Sequence, residues 1–413
     1  MPRPPKKFHA HPFEYHEELV LTIESLTNLG DGIARVDLPD QEGEGWVVFV
    51  PFTLPGEKVR ARIFRNDKNH SRADLIKVIE PSEDRATPGC PLFGACGGCQ
   101  YQHLAYPAQL AWKTRQVGEL LEHMAGIHHS VEPCHPSPQI WGYRSKITPH
   151  FAKPRQGVID AIGFLPNARR SGQMDVPHCP IAMAEINAAL PSVREDVRRR
   201  AKTYKRGATL LLRAVEGRVE TNPNAIATER VGELSFDFLA GDFFQNNPFI
   251  LPDFTGYAAA EARKGEMRFL VDAYCGSGLF ALTLAPHFEQ VAGVEVSETS
   301  ADWARRNALQ NGISNATFLT ASAEAIFEGI AFPAEKTAVL IDPPRKGCSE
   351  EFLAQLIAFG PERVVYVSCN PATQVRDLGR LQEGGYGLEK VQPFDLFPHT
   401  RHLECVMTLV KTH

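Results

Sequence analysis

No uninterrupted run of about 18 apolar residues occurs in this 413-residue chain, so a membrane-spanning helix is unsupported. No apolar stretch follows the charged, proline-bearing start MPRPPKKFHAHPFEYHEE, which therefore does not read as a secretory signal; residues 1–16 read as a disordered basic arm. There is no internal repeat and no low-complexity tract. Charge of one sign is also lacking: the net charge is −5, so a nucleic-acid partner must be met by a local basic face and not by the whole molecule. Cysteine is sparse, nine in a long chain without an export signal, which excludes a disulfide framework and sets the expected location as cytoplasmic.

What the chain does have is apolar content, 43%, enough to bury more than one core. Two or three domains is the natural count, and a monomer is the default for a chain that already carries three. Residues 17–81 hold short β-patterned runs (LVLTIESL, DGIARVD, GWVVFVP, EKVRARIF, ADLIKVIE) separated by turn residues, which predicts a small OB-like barrel. Residues 82–239 form a mixed α+β region with one expected helix, YPAQLAWKTRQVGELLEHM, and strand-like pieces around YRSKITPHF and ATLLLRAV. It also carries a basic run, Arg194, Arg198, Arg199, Arg200, Lys202, Lys205 and Arg206, a candidate RNA contact whose commoner meaning is a solvated helix face and loop. From residue 240 to 413 strands and helices alternate, which predicts an α/β domain with a doubly wound parallel sheet.

Cys90, Cys96 and Cys99 lie in CPLFGACGGCQYQH, where Gly94, Gly97 and Gly98 let the backbone fold tightly enough to aim several sulfurs at one point. A fourth ligand must come from elsewhere. Cys179 in HCPIA is the first candidate, with His178 beside it and Cys134 as the rival. Four thiolates suit an iron-sulfur cluster or structural zinc, and the spacing does not separate them.

FLVDAYCGSGLFALTLA reads as strand, glycine turn and helix, and VAGVEV as a second strand ending at Glu295. Gly276 and Gly278 let a cofactor approach the backbone, and Glu295 can hold ribose hydroxyls. With Ala281 these residues also satisfy the looser dinucleotide fingerprint, so an NAD-dependent Rossmann oxidoreductase is an alternative. Against it stands TAVLIDPPRKGC, where Asp342 and Pro343-Pro344 end an apolar run beside the expected crevice. Asp-Pro-Pro there is typical of S-adenosylmethionine enzymes acting on a planar nitrogenous ring; an ordinary helix cap is the competing reading of Asp342. Farther on, Val364, Val365, Tyr366 and Val367 make a strand suited to burial on both faces, and Pro371 stops it, presenting Cys369 at the strand end. A small buried hydrophobe is the competing meaning of that cysteine.

FFQNN, DAYCGSG, GVEV, NALQNG, DPPRKG, YVSCNPATQVRDL and DLFPHTRHLECV, from Phe243 to Val406, occur in the order and context of the RNA uracil-5-methyltransferase family, which the chain therefore resembles. The barrel with GWVVFVPFTLPGE looks like a TRAM domain, and CPLFGACGGCQYQH with CPI resembles the iron-sulfur segment of the ribosomal-RNA branch. That resemblance implies a [4Fe-4S] cluster on Cys90, Cys96, Cys99 and Cys179, with zinc as second choice. It favours 23S ribosomal RNA as target, with methylation of transfer-RNA uridine 54 by the same chemistry as the alternative. A non-catalytic RNA-binding protein is a third reading, opposed by the intact SCNP and HLEC segments.

The resemblance implies that Cys369 adds to C6 of uracil and that Glu404 is the base that removes the C5 proton. It implies cofactor contacts from Gln245, Tyr274, Gly276, Glu295, Ser322 and Asp342, with Asp342 binding the uracil edge or the cofactor's amine and Gln245 able to turn toward the base. Leu279 and Ser322 stand where relatives often carry Asn, a departure that removes or replaces the cofactor hydrogen bonds of those positions. Phe243 and Phe244 lie near the expected pocket and read as core. The uracil must be extruded from its stack to reach Cys369, at a cost of about a few kcal/mol.

Overall fold

A computed structural model of the chain describes all residues except 1–7, 40–42, 44, 168–171, 323–324 and 413. It divides into two compact units. One comprises Met1–Gln109 with Leu165–Gly172 and His399–Arg401; the other comprises Leu110–Phe164, Gln173–Pro398 and His402–His413.

In the smaller unit six strands form one curled sheet. Glu18–Thr22 and Ser25–Leu26, two pieces of one extended segment, occupy its two ends, which is how the sheet closes on itself. The alternation in the sequence is used as period 2 demands: in Trp46–Pro51 the residues Trp46, Val48 and Val50 face the core, joined by Val59, Ala61 and Ile63 of Lys58–Asn66. Glu57, fully buried, ties the barrel's end to the following loop by accepting from the amides of Leu54 and Ser82 and from the Arg85 guanidinium. The expected disordered arm over 1–16 is corrected in its second half. Phe13 is buried in the barrel core, and the Asn66 side-chain amide donates to the carbonyls of His9 and Phe13 at 2.7 Å. Residues 1–7 of that arm lie outside the described residues.

The larger unit is built on a seven-stranded sheet. Its strands in chain order are β1 (Phe269–Ala273), β2 (Gln290–Glu295), β3 (Ala316–Thr320), β4 (Thr337–Ile341), β5 (Arg363–Ser368), β6 (Tyr386–Phe394) and β7 (Glu404–Lys411). They lie in the order β3-β2-β1-β4-β5-β7-β6; β1 to β5 are parallel, and β7 runs antiparallel to both β5 and β6. Every residue of β4 and β5 is buried, as expected for apolar strands covered on both faces. The strand order reverses between β1 and β4, so their carboxyl ends flank the crevice where ligands of such sheets bind.

The expected helix is present as Tyr106–Ala125, and its Val117 and Leu121 pack with Val271, Val339 and Tyr366 of the sheet. Expected boundaries at 81/82 and 239/240 do not coincide with the edges of the units. The hairpin Ile226–Val231/Leu234–Leu239 explains the second: its Phe236 and Phe238 share a core with Leu270, Leu282 and Val365. No described helix is long and apolar enough to cross a membrane.

Candidate active site

Cys369 directly follows β5, half-buried, between the strand's last residue and the helix Pro371–Glu383. The sequence dictates that stop. Pro371 occupies the first helical turn, where its missing amide hydrogen costs nothing, and Ser368 turns inward so that its hydroxyl accepts from the Asn370 amide at 3.1 Å. The last ladder pair between β5 and β7 is Ser368 with Cys405, so Glu404, which opens β7, is brought to the same edge as Cys369. Gln374 stitches the two strands by donating to the carbonyls of Tyr366 at 2.7 Å and Cys405 at 3.1 Å.

Burial and the neighbouring Glu404 charge push the Cys369 thiol up to about 11, opposed by the Arg345 guanidinium, which hydrogen-bonds the sulfur. Glu404 is 3% exposed, and burial together with the Asp342 charge holds its carboxyl well above the usual range; Arg345 works in the opposite sense. Asp342, at the end of β4, is likewise raised, by burial. Three of these side chains, Cys369, Glu404 and Asp342, were expected from sequence. Arg345 was not, although it stands in the DPPRKG segment.

The loop that carries Asp342 and Arg345 is strapped to the helix behind Cys369. The Asn370 side-chain amide and the Thr373 hydroxyl donate to the Arg345 carbonyl at 3.0 and 3.3 Å, and the Arg376 guanidinium donates to the Lys346 carbonyl at 3.0 Å. Asp377 accepts from the Cys348 amide at 2.8 Å and from the Tyr366 hydroxyl at 2.6 Å. Gly347 has φ +79, and a Cβ there would lie 2.6 Å from both Arg376 and Asp377, so only glycine lets loop and helix meet. Before β7 a second clamp operates. Lys113, fully buried, donates to Asp395 at 2.6 Å and to the carbonyls of Phe397 and His402 at 3.3 and 2.8 Å.

At the crevice side, the loop after β1 combines Gly276 (φ +54) and Gly278 (φ +92) with Tyr274 at φ +65. Open space lies beside Gly276, where an added Cβ would meet nothing within 4 Å. Glu295 accepts from the amides of Gly276 at 3.0 Å and Ser297 at 2.9 Å, which fixes its carboxylate across that opening. These features fit a nucleoside sulfonium: a loop without side-chain bulk and an oriented carboxylate for ribose hydroxyls. Gln245 is buried, at 5% exposure, whereas Ser322 is exposed and next to residues outside the described set. The Tyr274 ring packs on Phe352 at 5.1 Å, with its hydroxyl on the Cys348 thiol. Leu279 is buried in the sheet's core, which accounts for an apolar residue there.

The tRNA (uracil-5-)-methyltransferase family matches residues 209–412, and the TRAM domain matches residues 15–76. The chain is 44% identical over 424 residues to the tRNA (uracil(54)-C(5))-methyltransferase of Schizosaccharomyces pombe, covering 97% of this chain and 79% of that protein. The chain belongs to the RNA uracil-5-methyltransferase family. Its likeness to the protein of the same name from Saccharomyces cerevisiae is 33% over 473 residues, covering 95% and 74%. Among solved structures, the Pyrococcus abyssi tRNA (uracil-54, C5)-methyltransferase in complex with S-adenosyl-L-homocysteine shares the fold, with a TM-score of 0.71 at 24% identity over 95% of this chain and 100% of that one. The protein is thus an S-adenosylmethionine-dependent RNA (uracil-5-)-methyltransferase with an amino-terminal TRAM barrel.

Other expected site residues of the methyltransferase fall out differently. In the smaller unit Cys90 and Cys96 are electrostatic neighbours, and the Gly98 amide hydrogen-bonds the Cys96 sulfur, whose thiol burial pushes up. Cys179 belongs to the larger unit, its loop held by Asn187, which accepts from the Cys179 amide and donates to its carbonyl, both at 2.9 Å. Cys134, the rival ligand, is buried beside Lys113 and Asp395, and burial drives its thiol far up. Among the described residues no group of three or more His, Cys, Asp or Glu side chains is arranged to hold a metal ion, so no chemical step is derived through one.

Phe244 is core, stacked on Phe238 at 4.5 Å, but Phe243, expected to be core as well, is 75% exposed. The basic run is also redistributed. Arg194 is buried, donating to Asp175 at 2.6 Å and to the carbonyls of Ile162 and Val176, while Arg199 and Arg200 both pair with Asp196. An i, i+3 or i+4 acid on the same helix, Asp196, was visible in the sequence; the Asp175 partner, from a different segment, was not.

Proposed function

We propose that this methyltransferase acts on uridine 54 of transfer RNA through a covalent bond between Cys369 and C6 of the uracil, resolved by Glu404. The observation carrying the reading is that Cys369 and Glu404 adjoin the same terminal ladder pair, at the carboxyl edge where Gly276 and Glu295 frame the cofactor opening. Support for transfer RNA comes from the two yeast relatives, both named for uridine 54, one of them 44% identical. The expectation of 23S ribosomal RNA, drawn from the barrel and cysteine segment, is the less well supported choice.

C5 of uracil is too weak a nucleophile to take a sulfonium methyl unaided, so the ring must first be loaded at C6. The Cys369 thiol loses its proton to solvent, and the thiolate, steadied by Arg345, forms the S–C6 bond while the ring electrons move to C5 and O4. S-adenosylmethionine supplies, when bound, the electrophilic methyl group that C5 takes. Gln245, Tyr274, Gly276, Glu295 and Ser322 are the residues assigned to hold it, and Asp342 is assigned the uracil edge or the cofactor amine. The Glu404 carboxylate then takes the C5 proton. The C5–H electrons restore the C5=C6 bond and expel the Cys369 thiolate, after which Glu404 releases its proton to solvent. A carboxyl held above its usual range by burial is the stronger proton acceptor for that step.

For the cysteine segment, [4Fe-4S] on Cys90, Cys96, Cys99 and Cys179, with zinc second, rests on the resemblance of that segment to the family's iron-sulfur segment, and the nearness of Cys90 to Cys96 is compatible with it. Visible absorbance of anaerobically purified protein tests it, because zinc is colourless. Mapping 5-methyluridine by mass spectrometry in transfer and ribosomal RNA after deletion of the gene tests the substrate. Loss at position 54 of transfer RNA is expected; loss confined to ribosomal RNA would reverse the choice.

A further inference from the structure

Two short strands, His150–Phe151 and Ala208–Thr209, pair antiparallel with His150 opposite Thr209 and Phe151 opposite Ala208. In that register Lys153, two residues past Phe151, and Arg206, two residues before Ala208, leave the ladder at the same end. Arg155 and Lys205 continue from them along the two chains. The chain after Lys153 closes a tight turn in which the amides of Arg155 and Val158 exchange hydrogen bonds with each other's carbonyls at 3.0 and 2.9 Å. Lys202 reaches the same turn: a Cβ built on Gly157 would sit 2.9 Å from its side-chain Cγ, so its aliphatic stem lies over the backbone there.

All five cations are exposed, and among the described residues none has an acidic partner within ion-pair distance. Between 151 and 160 and between 201 and 209 the sequence holds these five basic residues and one acid, Asp160. That contrasts with the neighbouring Arg194, Arg198, Arg199 and Arg200, whose charges are met by Asp175 and Asp196. The platform beneath is packed. Phe151, Ile159, Ile162, Val197 and Ala201 form a small core of their own, and Tyr204 packs edge-on against Phe151 at 4.9 Å.

We propose that Lys153, Arg155, Lys202, Lys205 and Arg206 form one surface that binds the sugar–phosphate backbone of the substrate RNA. The inference rests on RNA methylation and adds where the polyanion is held. Unpaired, exposed cations on a fixed base suit repeated phosphates, because each phosphate neutralised releases condensed counterions and contributes affinity without reading sequence. Arginine and lysine are interchangeable enough for this task that charge, and not side-chain identity, is what matters.

The test uses the full-length enzyme carrying Lys153→Gln, Lys205→Gln and Arg206→Gln together. Its dissociation constant for full-length substrate RNA is measured across a salt series, and its kcat at saturating RNA alongside. Affinity near physiological salt is expected to fall about tenfold or more, with the log–log salt slope shallower by about two to three, while kcat is unchanged. Lys153→Arg with Lys205→Arg is expected to keep the wild-type slope, and Arg199→Gln with Arg200→Gln to bind as wild type. An unchanged slope in the triple variant overturns the proposal, whether affinity is retained, as for a surface meant for an acidic protein, or lost, as for a fold defect. Wild-type enzyme that binds RNA with the expected slope yet methylates no uridine would instead overturn the function.

Discussion

Cys369 and Glu404 occupy the next register step beyond the last ladder pair of β5 and β7, Ser368 with Cys405, and the charge of one is felt by the other. On the proposed mechanism, a nucleophile just past one strand and a base opening its antiparallel neighbour keep their separation, because the strands are hydrogen-bonded behind them and stitched by Gln374.

The first consequence is a pH dependence with a defined sign. Burial and Glu404 raise the Cys369 thiol to about 11, so at neutral pH it is protonated and the thiolate fraction grows about tenfold per pH unit below that value. Alkylation of Cys369 by iodoacetamide in the free enzyme is expected to accelerate with that slope. Glu404→Gln removes the repelling carboxylate and shifts the profile to lower pH; Arg345→Met removes the cation and shifts it higher.

On the proposed mechanism Glu404→Gln also leaves the C5 proton without an acceptor. Turnover is expected to fall by about 10² to 10⁴. Covalent protein–RNA adduct on unmodified RNA should then accumulate, visible as a slow band on a denaturing gel, whereas the wild type shows little.

Lys113→Met strands Asp395 as an uncompensated buried charge and frees the carbonyls of Phe397 and His402 just ahead of β7. The expected loss is about 3–5 kcal/mol of stability in urea titration.

Gly347→Ala places a methyl 2.6 Å from Arg376 and Asp377 at a positive φ. Loosening the strap moves Arg345 relative to Cys369, so kcat is expected to fall by about tenfold or more while RNA affinity holds. An unchanged kcat would show that the strap does not position the site.

Local features were legible in the sequence. The β-branched run stopped by Pro371 predicted the buried β5 with Cys369 at its end, and the expected helix YPAQLAWKTRQVGELLEHM is present as Tyr106–Ala125. What escaped depends on partners distant in the chain. Lys113 reads as an ordinary surface lysine until Asp395, 282 residues away, is brought to it. Arg194 reads as one of a basic run until Asp175 and two carbonyls enclose it. Residues 8–16 looked unstructured by composition, yet Phe8 and Phe13 find the barrel's core.

The most direct test traps the enzyme on RNA carrying 5-fluorouridine at the target position, where fluorine replaces the proton that the proposed mechanism assigns to Glu404, and maps the cross-linked peptide by mass spectrometry. The expected result is a nucleotide mass on Cys369 in the wild type and no adduct with Cys369→Ala. An adduct on any other residue, or methyl transfer that persists in Cys369→Ala, would contradict the account.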